Sequence, residues 1–251
     1  MIMGVFDFKR FSVVNERSAM KVNTDGVLLG AAMTLRSSDR SLLDVGTGTG
    51  TIALMAAQRL TGMIGSAAGS FKDCRITAID VDEPSADEAA ANFRRSAWED
   101  ILCAHHASLE EFAAAYPDGC YDLIFSNPPY FEDSLPAPEE RRSNARHTST
   151  GLSYRELLDF ASSRLSEEGR FSIVLPAEQE QALCRYARMS GLHLFRILRI
   201  RTVPRKAPSR MIAEFSRCRC DVPQEELLTI QNEGQYTEEY LSLTHDFYLF
   251  A

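Results

Sequence analysis

The sequence predicts an α/β fold: a doubly wound, mostly parallel seven-stranded sheet with an antiparallel hairpin at its end. Three observations carry the prediction. Strand-like and helix-like stretches alternate strictly from residue 41 onward, which implies parallel crossovers. A glycine-rich turn, Gly46-x-Gly48-x-Gly50, joins the first of these strands to its helix. Near the end, two strand-like stretches follow one another with no helix between them, which implies an antiparallel pair.

The elements run as follows. Residues 1–40 read as an amino-terminal extension of strand and loop. Residues 42–45 form a short buried strand, and 51–60 a helix with apolar spacing. Residues 61–73, rich in Gly, Ser and Ala, read as a flexible insertion. Strand 75–80 leads to helix 84–96, which has proline in its first turn. Strand 101–107, helix 109–116 and strand 121–126 follow. The segment 127–150 is a long polar loop at a strand's carboxyl end, where such sheets bind ligands. Helix 154–165, ended by Gly169, precedes strand 171–175, and helix 177–190 is closed by Gly191. Strands 192–202 and 210–217 make the hairpin. Residues 225–251 add a strand and a helix packed on the outside. The whole, 1–251, reads as a single domain.

Composition is that of a globular protein, with 45% hydrophobic and 25% charged residues. No apolar run is long enough to span a membrane. In the first residues charge follows a short apolar stretch, which is not the order of a signal peptide. A cytoplasmic protein is expected. The six cysteines are scattered and make no C-x-x-C pair, so reduced thiols are expected. Neither Cys218-x-Cys220 nor His105-His106 has the companions of a metal site, and no metal is expected.

Net charge is −8, yet its distribution is uneven. Residues 185–219 hold ten Lys and Arg, including Arg199, Arg201, Arg205, Lys206 and Arg210, against the single acid Glu214. A basic segment on an acidic body is a candidate polyanion footprint, or else a salt-bridged surface.

The glycine turn lets backbone bend tightly and lets a ligand approach closely. The nicotinamide fingerprint needs its last glycine at position 51, which is Thr51, and the Walker lysine is absent. Asp44, just before the turn, would repel a pyrophosphate and suits an amine-bearing ligand. Asp80 ends the next strand, where a carboxylate accepts ribose hydroxyls. Glycine turn plus acids, hostile to pyrophosphate, fit S-adenosylmethionine.

Asn127-Pro128-Pro129-Tyr130 closes the fourth strand. A conjugated amino nitrogen is a poor nucleophile because its lone pair is delocalised. Two acceptors below its plane, the Asn127 side-chain oxygen and the Pro128 carbonyl, would bond its hydrogens and favour an sp3-like shape. The prolines fix φ and so the second carbonyl. Tyr130 can stack on the ring, worth ~1–3 kcal/mol for a base. The motif points to amino-group methylation and leaves adenine, cytosine and amide acceptors open. A base within folded nucleic acid must be extruded to reach such a pocket. Arg141, Arg142, Arg146 and His147, in the loop beyond, are candidates for phosphate contact.

With these residues in place, the chain resembles the bacterial tRNA1(Val) adenine-37 N6-methyltransferases, class I enzymes with a Rossmann-like sheet. The likeness begins at Phe8-Lys9-Arg10-Phe11 and runs through residues 20–30, Met-Lys-Val-Asn-Thr-Asp-Gly-Val-Leu-Leu-Gly. It includes the glycine turn, Asn127 to Tyr130 and Arg146-His147, and continues through 210–215 to 236–247. The resemblance implies a monomer that methylates N6 of the adenosine 3′ to a tRNA anticodon. It implies that Lys21–Asp25 approaches the cofactor side, together with Gly46, Thr47, Gly48 and Gly50 of the turn, and that Asp25 or Thr24 comes near the methionine end. It also leads one to expect an acid after the third strand for the cofactor's adenine. This chain has Ser108 there, which can accept a hydrogen bond but carries no charge, so either cofactor affinity is weakened or Glu110 substitutes. Glutamine methylation of a release factor is the nearest competitor, but it comes with a helical substrate domain ahead of the glycine turn. DNA adenine methylation usually brings a sizeable target-recognition domain. A non-catalytic RNA-binding module is a further alternative, disfavoured by intact Asn127 and Tyr130.

Overall fold

The first helix of the alternating series, α2 (Thr51–Ile64), starts directly at the glycine turn and lies against a sheet whose strands alternate their side chains between two cores. A computed structural model describes residues 4–64, 73–129 and 152–251. Within them, β1 (Val5–Asp7) and β2 (Ser12–Val14) form a small hairpin, followed by α1 (Thr24–Ala32). The alternating body comprises β3 (Ser41–Val45), α2, β4 (Arg75–Asp80), α3 (Glu83–Arg94), β5 (Leu102–His106), α4 (Leu109–Ala115) and β6 (Tyr121–Ser126). It continues as α5 (Tyr154–Arg164), β7 (Leu165–Pro176), α6 (Glu180–Met189), β8 (His193–Arg201) and β9 (Arg210–Ser216). The chain ends in β10 (Gln224–Thr229), β11 (Gln231–Asn232), β12 (Gln235–Tyr236) and α7 (Glu238–Thr244).

The main sheet has the order β10-β8-β9-β7-β6-β3-β4-β5. Strands β3 to β7 are parallel, and β9 is antiparallel to both β7 and β8. All seven expected strands are present, with the terminal hairpin. An eighth, β10, adds to the edge in parallel with β8. Successive residues serve opposite cores: Leu42 faces α1, α2 and α7, whereas Leu43 faces α4, α5 and α6, and Leu123 and Ile124 split likewise. Burying each such leucine contributes roughly 1.5–3 kcal/mol.

Three elements depart from the sequence reading. The amino-terminal extension is not strand and loop alone, because α1 is a nearly all-buried helix capped by Asn23, whose side chain accepts from Gly26 N. The stretch 61–73 is not an insertion throughout: α2 continues to Ile64. Gly169 does not end α5. Strand β7 begins at once at Leu165, and Gly169 sits where a Cβ would meet the Tyr121 carbonyl at 2.7 Å, beside a register shift between β6 and β7.

The topology brings the carboxyl ends of β3, β4 and β6 to one rim, together with the start of α1. Buried ion pairs brace the opposite flank. Arg170 donates to Asp39 at 2.5 Å, and the fully buried Glu214 accepts from Thr34, Ser172 and Arg196. Removing one partner of such a pair leaves a buried charge uncompensated.

Candidate active site

Gly46, Gly48 and Gly50 all have positive φ, at 74°, 56° and 80°. A side chain at Gly50 would also meet Phe93 Cε1 at 2.5 Å, so α3 packs against bare backbone there. At Gly46 the same Cβ would meet, among the described residues, only Leu152 Cδ2, at 3.9 Å, so none of them closes the turn to a ligand. Backbone of Gly48 donates to Asp80 Oδ2 at 2.8 Å, and Asp82 N donates to Asp80 Oδ1.

Asp44 lies beneath the turn, fully buried. Thr47 Oγ1 donates to its Oδ2 at 2.7 Å, while its Oδ1 is buried with no hydrogen-bond partner among the described residues. Burial pushes its carboxyl up to about 7, against the Thr47 hydrogen bond and helped by the charge of Asp80. Burial also raises the Asp80 carboxyl. Two adjacent carboxylates held up in this way favour a ligand that brings N–H, O–H or positive charge, and they disfavour phosphate.

Asn127, only 5% exposed, meets the glycine turn across one cleft. The cleft is walled by Gly46, Thr47, Gly48 and Asn127, and on its other side by Met20 to Asn23. Asn127 Nδ2 donates to Asn23 Oδ1 at 3.4 Å and lies 3.8 Å from Met20 Sδ. Pro128 is buried and Pro129 partly so. Sequence reading missed Met20 as a wall residue, whereas Asn23 falls within the stretch 21–25 that the resemblance placed on the cofactor side.

The other expected residues fall as follows. Lys21 lines the cleft and donates through Nζ to Glu16 O. Thr24 and Asp25 begin α1 and are not among the lining residues; Asp25 accepts from Arg210 instead. Ser108 caps α4, accepting from Glu111 N, and its hydroxyl donates to the Glu111 carboxylate. Glu110 is exposed on the first turn of α4. Tyr130, Arg141, Arg142, Arg146 and His147 lie outside the described residues.

The basic segment is partly neutralised. Arg199 donates to Glu180 at 2.6 Å and to Glu225 at 2.8 Å, and it holds the Glu180 carboxyl below the usual range. Arg201 donates to Thr229 Oγ1 and Pro204 O. Arg205 and Lys206, in the connection between β8 and β9, are exposed. Among the described residues, no three His, Cys, Asp or Glu converge as a metal site, and no helix is long and apolar enough to cross a membrane.

Comparison with known proteins agrees with this geometry. Residues 18–186 match the family model of the methyltransferase small domain. A tRNA1(Val) (adenine(37)-N6)-methyltransferase of Flavobacterium psychrophilum is 37% identical, over 98% of this chain and 99% of that protein. One from Bacteroides thetaiotaomicron is 40% identical over 97% of each. The chain belongs to the tRNA1(Val) (adenine(37)-N6)-methyltransferase family. Solved structures place this family member's fold among methyltransferases. A predicted O-methyltransferase from Agrobacterium tumefaciens superposes with TM-score 0.59 at 17% identity, covering 89% of this chain and 96% of that one. The T. thermophilus 16S rRNA N2 G1207 methyltransferase, solved with AdoMet and guanosine, gives 0.53 at 16% identity, covering 85% and 50%.

Proposed function

We propose that this chain transfers the methyl group of S-adenosylmethionine to N6 of adenosine 37 in tRNA1(Val). The observation that carries the reading is the meeting of Asn127 with the glycine turn in a single cleft. The residues present fit the cofactor. The turn is open at Gly46, Asp80 stands at the end of β4 for ribose hydroxyls, and Asp44 offers an orphaned carboxylate oxygen. When bound, the cofactor supplies an electrophilic methyl on a sulfonium.

The remaining chemistry belongs to the chain. The Asn127 side-chain oxygen and the Pro128 carbonyl accept from the two amino hydrogens of the adenine, drawing its nitrogen out of conjugation. Tyr130 stacks on the base. No general base of matched pKa is required before transfer; the extra proton on the methylated nitrogen is lost to solvent afterwards. Arg205 and Lys206, with Arg146 and His147, contact tRNA phosphates; the chain acts in the cytoplasm as a monomer and a single domain.

Mass spectrometry of nucleosides from tRNA of a strain lacking this protein tests the reading. Loss of N6-methyladenosine from tRNA1(Val), restored by the wild-type chain, is expected. An unchanged N6-methyladenosine content would redirect the assignment to another acceptor.

A further inference from the structure

Helix α3 presents three buried polar side chains on one face, Ser85, Glu88 and Asn92; Ser85 Oγ donates to Asp82, the helix's own N-cap, whereas Glu88 and Asn92 find their partners outside the helix. Glu88 Oε1 accepts from the backbone N–H of both Glu16 and Arg17 at 2.8 Å, and its Oε2 accepts from Ser18 N at 2.9 Å. Asn92 accepts from Val14 N at 2.9 Å through Oδ1. Its Nδ2 donates to Val14 O at 3.0 Å and to Thr49 O in the glycine turn at 2.9 Å. Ser85 Oγ lies 3.0 Å from Ser18 Oγ, and Ser18 Oγ donates to Met20 O.

One helix face therefore grips the amino-terminal segment and the glycine turn together. Beyond the grip, the segment runs in ordinary van der Waals contact with the turn, where a Cβ at Gly48 would meet Met20 O at 3.5 Å. It then delivers Met20 and Asn23 to the Asn127 side chain. A carboxylate that accepts three backbone N–H bonds is a charge-assisted clamp, and such bonds are roughly twice as strong as neutral ones.

We propose that Glu88 is a positioning residue for methyl transfer: by clamping residues 16–18 it holds Met20 to Asn23 as the second wall of the reaction cleft, against Asn127. The proposal rests on the function given above. Misplacing a reacting group by about 1 Å costs on the order of 10² in rate. Loss of the clamp is therefore expected to lower turnover without removing any group that touches substrate.

The test uses single-turnover methylation of a tRNA1(Val) transcript with S-adenosylmethionine, alongside hydrogen exchange of the same proteins. Failure of the wild-type protein to methylate N6 would reject the assigned function and leave the clamp geometry untouched. Given wild-type turnover, Glu88→Ala is expected to reduce the rate about 30- to 100-fold at saturating cofactor. Amides of residues 14–23 should exchange faster, while those of β3 and β6 keep their protection. Glu88→Gln, which keeps one acceptor oxygen, should recover to within about fivefold of wild type. If the alanine variant does not fold, Glu88→Asp, whose carboxylate stops one methylene short, carries the same expectation. Faster exchange at 14–23 with wild-type turnover, or wild-type protection of that segment in the variant, would overturn the proposal.

Discussion

Arg210 donates through Nε to Oδ2 of Asp25 at 2.9 Å, joining the first residue of β9 to the first turn of α1. Sequence alone assigned the arginine to nucleic acid and the carboxylate to the cofactor. The fold gives each to the other. Both side chains are roughly a third exposed or less, at 34% and 24%, so the pair is worth no more than about 1 kcal/mol.

Arg210→Ala should therefore lower stability by less than about 1 kcal/mol. It should also leave the salt dependence of tRNA binding unchanged, because its charge is already compensated. Filter-binding titrations between low and moderate salt check this. A shallower slope in the variant would return Arg210 to the RNA footprint.

Asn127→Ala should reduce methyl transfer by on the order of 10²–10³, as for loss of a preorganised polar group. Cofactor affinity should hold, because the glycine turn and Asp80 are untouched. Calorimetric binding and single-turnover rates on the same protein separate the two effects. A variant with wild-type turnover would remove Asn127 from the chemistry.

Neutralising Arg205 and Lys206 together should weaken tRNA binding and reduce the salt slope by about 1–2, at roughly 0.7–0.9 per phosphate contact. Arg199→Ala should act differently. Its guanidinium is committed to Glu180 and Glu225, so its loss should show in thermal stability and leave the salt slope intact. Equal salt effects from both substitutions would mean that the paired arginine reaches RNA.

Asp44 makes stability fall as pH rises. Its folded carboxyl titrates at about 7 and the unfolded one near 3.8. Below about 4 both states are protonated and the group is neutral in its effect. Between the two values only the unfolded chain loses its proton, so folding is progressively disfavoured; above 7 both are ionised and the slope ends. Asp44→Asn should flatten the curve over that window and stabilise the protein at pH 8 by on the order of a few kcal/mol. Its amide oxygen still accepts from Thr47. Urea unfolding at several pH values measures it, and parallel curves for the two proteins would contradict the assignment.

The strand framework and the catalytic rim were legible because each rests on local sequence. Short apolar runs announce β3, β4 and β6, with Gly46 directly after β3 and Asn127-Pro128 directly after β6. A glycine triplet with positive φ announces the turn. Helix α1 was not legible. Its residues, Thr-Asp-Gly-Val-Leu-Leu-Gly-Ala-Ala, are buried almost all round, so no polar face repeats at the helical period, and two glycines argue against a helix. The basic segment misled for a different reason. Counting charge along the chain cannot see Glu180, Glu225 and Glu226, which come from other elements to meet Arg196 and Arg199 across the sheet. Ser108 was read as a weakened ligand for adenine, yet its hydroxyl belongs to a capping box with Glu111. Glu88 carried no signal, since an acid in mid-helix ordinarily reads as solvated surface.

The reversed direction of β9 has a consequence for how such an enzyme can diverge. A parallel strand contributes only its end to the reaction rim, and the chain must then leave through a helix. Because β9 runs backwards, β8 finishes and β9 starts at the same rim, and the eight residues 202–209 are strung between them with no helix to accommodate. That span can lengthen, shorten or change charge without shifting a core residue or moving Asn127. On the proposed contact of Arg205 and Lys206 with tRNA, recognition of the acceptor is free to drift on its own, while the methyl-transfer machinery stays fixed in the parallel half of the sheet.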